Sequence, residues 1–506
     1  MKIAYFLDVP KGFGGAGNLL LQQAVLMSEL YDVIVVIPAD ETGSYNYEYA
    51  KRCEQHHIPY TWIEYSTAWN FMSIDYIEYM KSVVSIEEFA KKENITFFHS
   101  VQLNIAVEYV SRKLKIPHLM DIYQLREDDF RLCPGDIYSH YHLCDSILYS
   151  NLWNKQLGVD SRYIRPIAIL DNIRKKAVYS KDNIKLLMLG VVCPRKNQMT
   201  AIKAVAQSAA LIAPIKLELN IAGDIDNYYA EECIEYVKVN KLDQFIVFHD
   251  FVSDITPLLE SCDCLLCAST DESFPSSIVE ALTYDLTIIS TPVAGVPEVF
   301  FDKNNSFISV DFTVEGIKDS ILECLEYYKN GKIIDIHKNA EKTWLSNFER
   351  KTVRKQIDLY YKYISANGYF RDNKEFLNIE KDVKQTELLL HDINDDGEKW
   401  IYTKYLYYTL VRKKLKKGKI YIWGAGKLGK LTFEILKKIC PDTEIIAFID
   451  RYKEGSYCEI PVIKLEDVQF DQSSFYCISF ASGRDEAIQY LVDKGLALNT
   501  QIWCMP

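Results

Sequence analysis

The chain has 506 residues and a formal charge of −12, from 58 basic and 70 acidic side chains. Hydrophobic residues make up 48% and charged residues 25%, ordinary globular values that exclude a disordered or fibrous protein. The acidic balance excludes a general nucleic-acid footprint, and no run approaches the roughly 18 apolar residues of a membrane span. Thirteen Cys are too sparse for a disulfide scaffold, and Cys262, Cys264 and Cys267 read as buried strand thiols rather than a metal site. The apolar run before Asp8 is too short for a signal peptide, so the expectation is a reduced, cytoplasmic chain. The 35 Tyr suit packed cores first and stacking pockets second.

In chain order, short apolar strands alternate with amphipathic helices. Strands are predicted at Ile3–Leu7, Val33–Ile37, Tyr60–Ile63, Thr96–His99, His118–Ile122 and Ser146–Tyr149, with helices at Asn18–Leu30 and Ile105–Leu114 between them. The pattern restarts with strands at Ile184–Leu189, Leu217–Ala222, Phe245–His249, Cys264–Ala268, Thr287–Ser290 and Phe307–Val310. A Lys/Tyr-rich helix over Arg350–Ile364 closes this part. Such alternation with short connections predicts parallel, doubly wound α/β sheets. The expected domains are 1–170, 171–365, a helical linker over 366–417 and a third α/β unit over 418–506.

The end of the linker is unusual. From Ile401 to Lys419 there are seven basic residues and no acidic one, interleaved with Tyr402, Tyr405, Tyr407 and Tyr408. A solvated helix face is the plainer reading, and a helix lying on an anionic membrane surface is the other.

The richest segment runs from Ser269 to Phe300. Glu272 and Glu280 form an E-x7-E pair, with Phe274 and Pro275 between them and Ser276 and Ser277 where a helix should start. Glu272 follows a buried strand, at the carboxyl end of a parallel sheet where α/β folds place ligands. Free amides at such a helix start attract phosphate. One turn inside, Glu280 is placed to accept hydrogen bonds from a ribose diol. Upstream, Gly190 ends a strand before Arg195 and Lys196, two cations suited to a diphosphate. Gly223 ends the next strand, and the Gly295–Glu298 turn adds a further close-approach loop. The D-x-D at Asp224 and Asp226 reads as a turn, with no metal.

Together these elements resemble the retaining nucleotide-sugar glycosyltransferases of family four, of GT-B architecture, over residues 1–365. The Gly14-Gly15-Ala16-Gly17 loop, the G-x5-K of Gly190 and Lys196, the E-x7-E pair, and Gly295, Pro297 and Glu298 carry that resemblance. It implies that Gly14, Gly15, Gly190, Gly223, Phe274, Pro275, Ser276, Ser277 and Glu280 bind the donor. It implies catalytic roles for Glu272, Lys196 and Arg195. Where many members have Arg after the first glycine, Val191 stands here and Arg195 is the substitute cation. Where many have a His in the first domain, the matching loop offers Asp121, Tyr123 and Gln124, leaving His99 as the candidate facing the cleft. The implied reaction uses a UDP- or GDP-sugar, needs no cofactor or metal, and glycosylates a saccharide or lipid-linked acceptor in surface-polysaccharide synthesis. The expected place of work is the cytoplasm, with the inner face of the cell membrane as the site of any peripheral contact. No oligomeric state is implied.

In the third unit, Gly424, Gly426 and Gly429 lie between a strand and a helix, and Asp450 ends the next strand. This is the dinucleotide fingerprint in its proper context, so a Rossmann-like unit is expected to bind a nucleotide there or to serve as scaffold. The 89 residues from Gly418 onward are too few for a dehydrogenase with its substrate domain. The rival functions are a nicotinamide-dependent sugar-nucleotide oxidoreductase or epimerase centred on this turn, and a non-catalytic sugar-nucleotide scaffold.

Overall fold

A computed structural model of the chain describes residues 1–9, 14–39, 47–65, 76–102, 104–123, 139–167, 172–176, 182–212, 215–368, 418–480, 484–496 and 501–504. The linker helices, the basic Tyr-rich segment up to residue 417, and Gln124 lie outside the described residues. Lys419 opens a strand.

The first unit is a seven-stranded parallel sheet: β1 Lys2–Phe6, β2 Asp32–Ala39, β3 Tyr60–Glu64, β4 Phe97–Val101, β5 His118–Asp121, β6 Tyr141–Cys144 and β7 Asp160–Tyr163. Its order is β3-β2-β1-β4-β5-β6-β7. Alternation along β1 explains why it is central. Ile3, Tyr5 and Leu7 enter one core, while Ala4 and Phe6 enter the core on the other face.

The second unit is a six-stranded parallel sheet of β8 Asn183–Leu189, β9 Lys216–Ala222, β10 Ile246–His249, β11 Cys264–Cys267, β12 Thr287–Ser290 and β13 Phe307–Ile308. Its order is β10-β9-β8-β11-β12-β13. Both sheets reverse their strand order, at β1/β4 and at β8/β11, and α/β folds bind ligands outside such a reversal. Cys262, Cys264 and Cys267 are buried free thiols of the β11 segment, as their apolar setting predicts.

The helix Arg350–Asn367 follows the second sheet in sequence but packs in the core of the first unit. Val353, Ile357, Tyr360, Tyr361 and Ile364 recur at helical spacing and are all buried there. Each such burial contributes about 1.5–3 kcal/mol, so the crossing helix binds the two units firmly. Tyr361 adds a hydroxyl contact to Tyr5 at 2.7 Å.

The third unit has strands β14 Lys419–Trp423, β15 Glu444–Ile449, β16 Gly455–Tyr457, β17 Ile460–Ile463, β18 Ser474–Ile478 and β19 Ile502–Cys504. Their order is β16-β17-β15-β14-β18-β19, and only the β16–β17 pair is antiparallel.

One predicted strand is corrected. Residues Ser146–Tyr149 do not form a strand; Ser146 caps a helix over Ile147–Leu157 by accepting the Tyr149 amide at 3.3 Å. The strand lies earlier, at Tyr141–Cys144, and β7 was not anticipated. The apolar "ILY" has strand character, but a tertiary cap decides its state. Glu298 of the second unit accepts the Ile147 and Leu148 amides at 2.9 and 3.0 Å, satisfying two orphan donors of the helix start.

Candidate active site

A cavity of about 1060 Å³ lies between the first and second units, at the carboxyl ends of their strands. The second unit supplies Gly190, Arg195, Lys196, Gly223, Glu272, Phe274, Ser276, Ser277 and Glu280. All of these were expected at the site from the sequence.

Charge is concentrated around Glu272. It accepts Arg195 Nη1 at 2.5 Å and Lys196 Nζ at 2.6 Å, and Ser269 Oγ donates to it at 3.3 Å. A short 3-10 turn, Pro194–Lys196, aims both cations. The turn is anchored because Arg195 O accepts the Thr270 amide at 2.9 Å. Lys196 lies across Gly190, where an added Cβ would come within 3.2 Å of its Cε. Gly190 also has a φ of 122°, which side chains rarely adopt, so this position needs glycine. Gly223 packs against the Gly190 carbonyl so closely that any side chain would collide with it.

The helix Ser276–Thr283 starts beside these cations, with Pro275 at its N-cap and no side-chain cap on its first amides. Cations, amides and helix dipole therefore converge on one part of the cavity, which favours an anion. Glu280, one turn in, has no hydrogen bond or ion pair to its carboxylate among the described residues. Burial pushes its pKa up, against the opposing fields of Lys196 and Arg52. Phe274 is buried, its ring 5.5 Å from Phe348 and 6.4 Å from Phe300, which fixes the loop carrying Glu272.

The first unit supplies Gly15, Asn18, Arg52, His56, Gln102, Tyr123 and Asp145, and the crossing helix adds Arg350. Gly14 caps the helix Gly15–Met27, and its amide donates to Tyr49 OH at 3.1 Å. Sequence reasoning missed Arg52, His56, Gln102, Asp145 and Arg350, because nothing in a helix or loop pattern says which face meets the other unit. Burial lowers the Arg52 pKa, and burial together with Arg350 and Arg52 lowers that of His56.

The expectation that His99 faces the cleft is corrected. His99 is fully buried, with Nε2 at 2.6 Å from Asp121 Oδ1 and Nδ1 at 2.6 Å from Tyr361 OH. Both ring nitrogens are engaged in the core. Asp121 Oδ2 in turn accepts Tyr123 OH at 2.6 Å and Gln23 Nε2 at 2.8 Å, so Tyr123 is the member of this network that reaches the cavity. Asp224 accepts the Asp226 amide at 2.9 Å, the turn expected of that D-x-D. Among the described residues, no group of three or more His, Cys, Asp or Glu could hold a metal ion. Nor is any described helix long and apolar enough to cross a membrane.

In the third unit the glycine turn has the expected geometry. Gly424 has a φ of 116°, and Gly429 packs directly on the Gly424 carbonyl. Gly426 has nothing within 4 Å of an added Cβ. Asp450 is differently used from what the fingerprint suggests. Its Oδ2 accepts the Ala425 amide at 2.9 Å, and its Oδ1 accepts the amides of Tyr452 and Lys453 at 2.9 and 3.1 Å. Burial raises its pKa, but these amides outweigh that and hold the carboxyl below its ordinary range. Asp450 therefore serves the turn's own backbone.

The first two units place the chain in the GT-B class of fold, with a third Rossmann-like unit appended. The crystal structure of Anabaena Alr3699/HepE in complex with UDP-glucose covers 72% of this chain and all of its own, at 18% identity and a TM-score of 0.60. Sucrose-phosphate synthase from Thermosynechococcus elongatus covers the same shares at 14% identity and a TM-score of 0.57. Residues 170–343 match the model of the family Glycosyl transferases group 1, so the chain carries a group 1 glycosyltransferase domain. An uncharacterized glycosyltransferase of Methanocaldococcus jannaschii, MJ1178, is 21% identical over 226 residues, 43% of this chain. The match spans 60% of the length of that curated relative.

Proposed function

We propose that the chain is a retaining, metal-independent glycosyltransferase that moves a sugar from a nucleoside-diphosphate sugar to a saccharide or lipid-linked acceptor. The observation that carries this reading is the meeting of Lys196, Arg195, Glu272 and the open helix start at Ser276 in one cavity. The donor diphosphate lies on the Ser276 and Ser277 amides with Lys196 and Arg195 against it, and Glu280 accepts the ribose hydroxyls. Glu272 exchanges part of its hold on the cations for the transferred sugar.

The bond from the anomeric carbon to the diphosphate oxygen breaks, and its electron pair stays on the phosphate. Lys196, Arg195 and the helix amides stabilise that growing charge, the preorganised electrostatics that often dominates catalysis. They supply the positive charge for which other transferases recruit a metal. The sugar becomes oxocarbenium-like. The acceptor oxygen bonds to the anomeric carbon on the face the diphosphate leaves, so configuration is retained without a protein nucleophile. The acceptor proton passes to the departing phosphate oxygen.

UDP is the first nucleotide to try, because the similar HepE is described with UDP-glucose; GDP-sugars come next. The cellular role in this reading is surface-polysaccharide synthesis from the cytoplasmic side, with the basic Tyr-rich segment touching the membrane. The third unit binds a nucleotide weakly at Gly424–Gly429 or acts as scaffold, and performs no redox step. The test is a nucleotide-sugar panel scored by thermal stabilisation, since a ligand at 100 times its Kd adds about 2.7 kcal/mol. The best donor is then incubated with saccharide and lipid-linked acceptors and the product's anomeric configuration read by NMR. Inverted product overturns the retaining reading, and absorbance change at 340 nm with NAD(P) overturns the transferase one.

A further inference from the structure

Asp145 follows β6 in the first unit, lines the cavity and is 2% exposed. Its Oδ1 accepts the hydroxyl of Ser273, a buried residue of the second unit that comes directly after Glu272. Ser146, next to Asp145, brings its own hydroxyl to 3.2 Å from that of Ser273. The Asp145 backbone is fixed as well, since its carbonyl accepts Arg165 Nη1 at 2.6 Å.

Ser273 is also held from the other side. Its carbonyl accepts the Gly295 amide at 2.9 Å. An added Cβ on Gly295 would come within 2.8 Å of that carbonyl oxygen and 3.0 Å of Ser146 Cβ, so the three segments are in close contact. The residue beside Glu272 is therefore clamped between the first unit and the Gly295–Glu298 turn. Glu272 itself takes its charged contacts, Arg195 and Lys196, from the second unit. In the proposed function, on which this inference rests, it gives up part of that hold to meet the sugar. A loop whose carboxylate changes partners has to be fixed from elsewhere, and at Ser273 the first unit fixes it.

The group that does the holding is destabilising in its own right. Burial pushes the Asp145 pKa up to about 8, and the charge of Glu272 adds to the rise. A neutral asparagine would take the same hydroxyl at less cost, and carboxyls perturbed in this way gather at functional sites.

We infer that Asp145 is a positioning residue of the transferase: acting through the Ser273 hydroxyl, it holds Glu272 in register with the transferred sugar. Its effect falls on the chemical step, where a misplacement of about 1 Å slows the reaction roughly 10²-fold. In the same reading Lys196, the Ser276 and Ser277 amides and Glu280 hold the nucleotide, so nucleotide affinity does not depend on the clamp.

The test uses the full chain and a panel of UDP-glucose, UDP-galactose, UDP-N-acetylglucosamine and GDP-mannose. Single-turnover release of nucleoside diphosphate is followed for the donor that the wild type cleaves fastest, and calorimetry gives the affinity for UDP or GDP alone. Asp145→Leu and Ser273→Ala should each slow release about 10²-fold at saturating donor, with affinity for the free nucleotide unchanged. The double variant should be no slower than the slower single one, because both changes remove one contact. Asp145→Asn, which keeps an oxygen for Ser273, should recover most of the rate. The Gly295 amide should exchange faster with deuterium in both single variants. Additive losses in the double variant, a parallel loss of free-nucleotide affinity, or the wild-type rate in Ser273→Ala overturns the inference. If Asp145→Leu does not fold, Ser273→Ala and Asp145→Asn decide it. If the wild type cleaves no donor, it is the proposed function that fails, and unaltered Gly295 exchange separately overturns the clamp.

Discussion

Glu298 and Arg165 form an ion pair across the two units, Oε2 to Nη2 at 2.5 Å, with both side chains largely buried. The same carboxylate holds the Ile147 and Leu148 amides, and Arg165 Nη1 donates to Asp145 O at 2.6 Å. One glutamate thus joins the G-x-P-E turn of the second unit to a helix start of the first, beside the wall of the cavity. Breaking a buried pair from one side leaves the partner charge uncompensated, which costs about 3–5 kcal/mol. Glu298→Ala should therefore lower unfolding free energy in urea by about 3 kcal/mol, and the Ile147 and Leu148 amides should exchange faster with deuterium. Unchanged exchange at those two amides would show that the pin does not hold the helix.

Asp145 predicts a pH dependence. Burial pushes its carboxyl pKa up to about 8, against the Ser273 hydroxyl and Arg165, with Glu272 adding to the rise. The group is raised above its unfolded value of 3.8, so it favours the folded state most below about pH 4. That contribution is lost as pH climbs through 8. Asp145→Asn imitates the protonated form and keeps an oxygen for Ser273. Between pH 5 and 8 its stability relative to wild type should grow by about 1.4 kcal/mol per pH unit. Urea unfolding at several pH values measures this, and parallel wild-type and variant curves would refute it.

Glu280 should show opposite effects on stability and binding. Its carboxylate is costly in the folded protein, since burial raises its pKa and no described partner satisfies it. Glu280→Gln should unfold at higher urea at pH 7. Donor KM should rise roughly tenfold with kcat changed by less than about threefold, because in the proposed function Glu280 holds the ribose, a contact equal in ground and transition states. A kcat effect as large as the KM effect would place Glu280 in the chemistry instead.

The fold was legible because its two main sheets follow simple rules. Near-continuous apolar runs in β11 and β12, and mainly apolar ones in β8 and β9, announce buried parallel strands, and the cavity-lining residues fall at their carboxyl ends. Lys196, Glu272 and Glu280 could be placed on one cavity for that reason. Ser146–Tyr149 was misread because its state is decided by Glu298, 149 residues later in the chain. His99 was misread because strand position gives the end of the sheet but not which groups surround the side chain. Gln102 carried no sequence signal as a cavity residue, since its left-handed backbone, at a φ of 59°, exists only in the folded chain.

The third unit gives a steric prediction from two glycines, Gly429 and Gly426, five and two residues after Gly424. Gly429→Ala would drive a methyl into the Gly424 carbonyl, whereas Gly426→Ala meets nothing within 4 Å. The first substitution should unfold this unit, seen as loss of protection in β14 and β15, and the second should leave it intact. Equal stability of the two variants would contradict the close helix–strand packing.

The most direct test of the donor site is single-turnover release of nucleoside diphosphate from the best-binding nucleotide sugar, in wild type and in Lys196→Ala. In the proposed function Lys196 acts on charge that grows as the leaving group departs, so its loss should slow release roughly 10²–10³-fold, the scale of one oxyanion-hole donor. Release from Lys196→Ala at the wild-type rate would contradict the account.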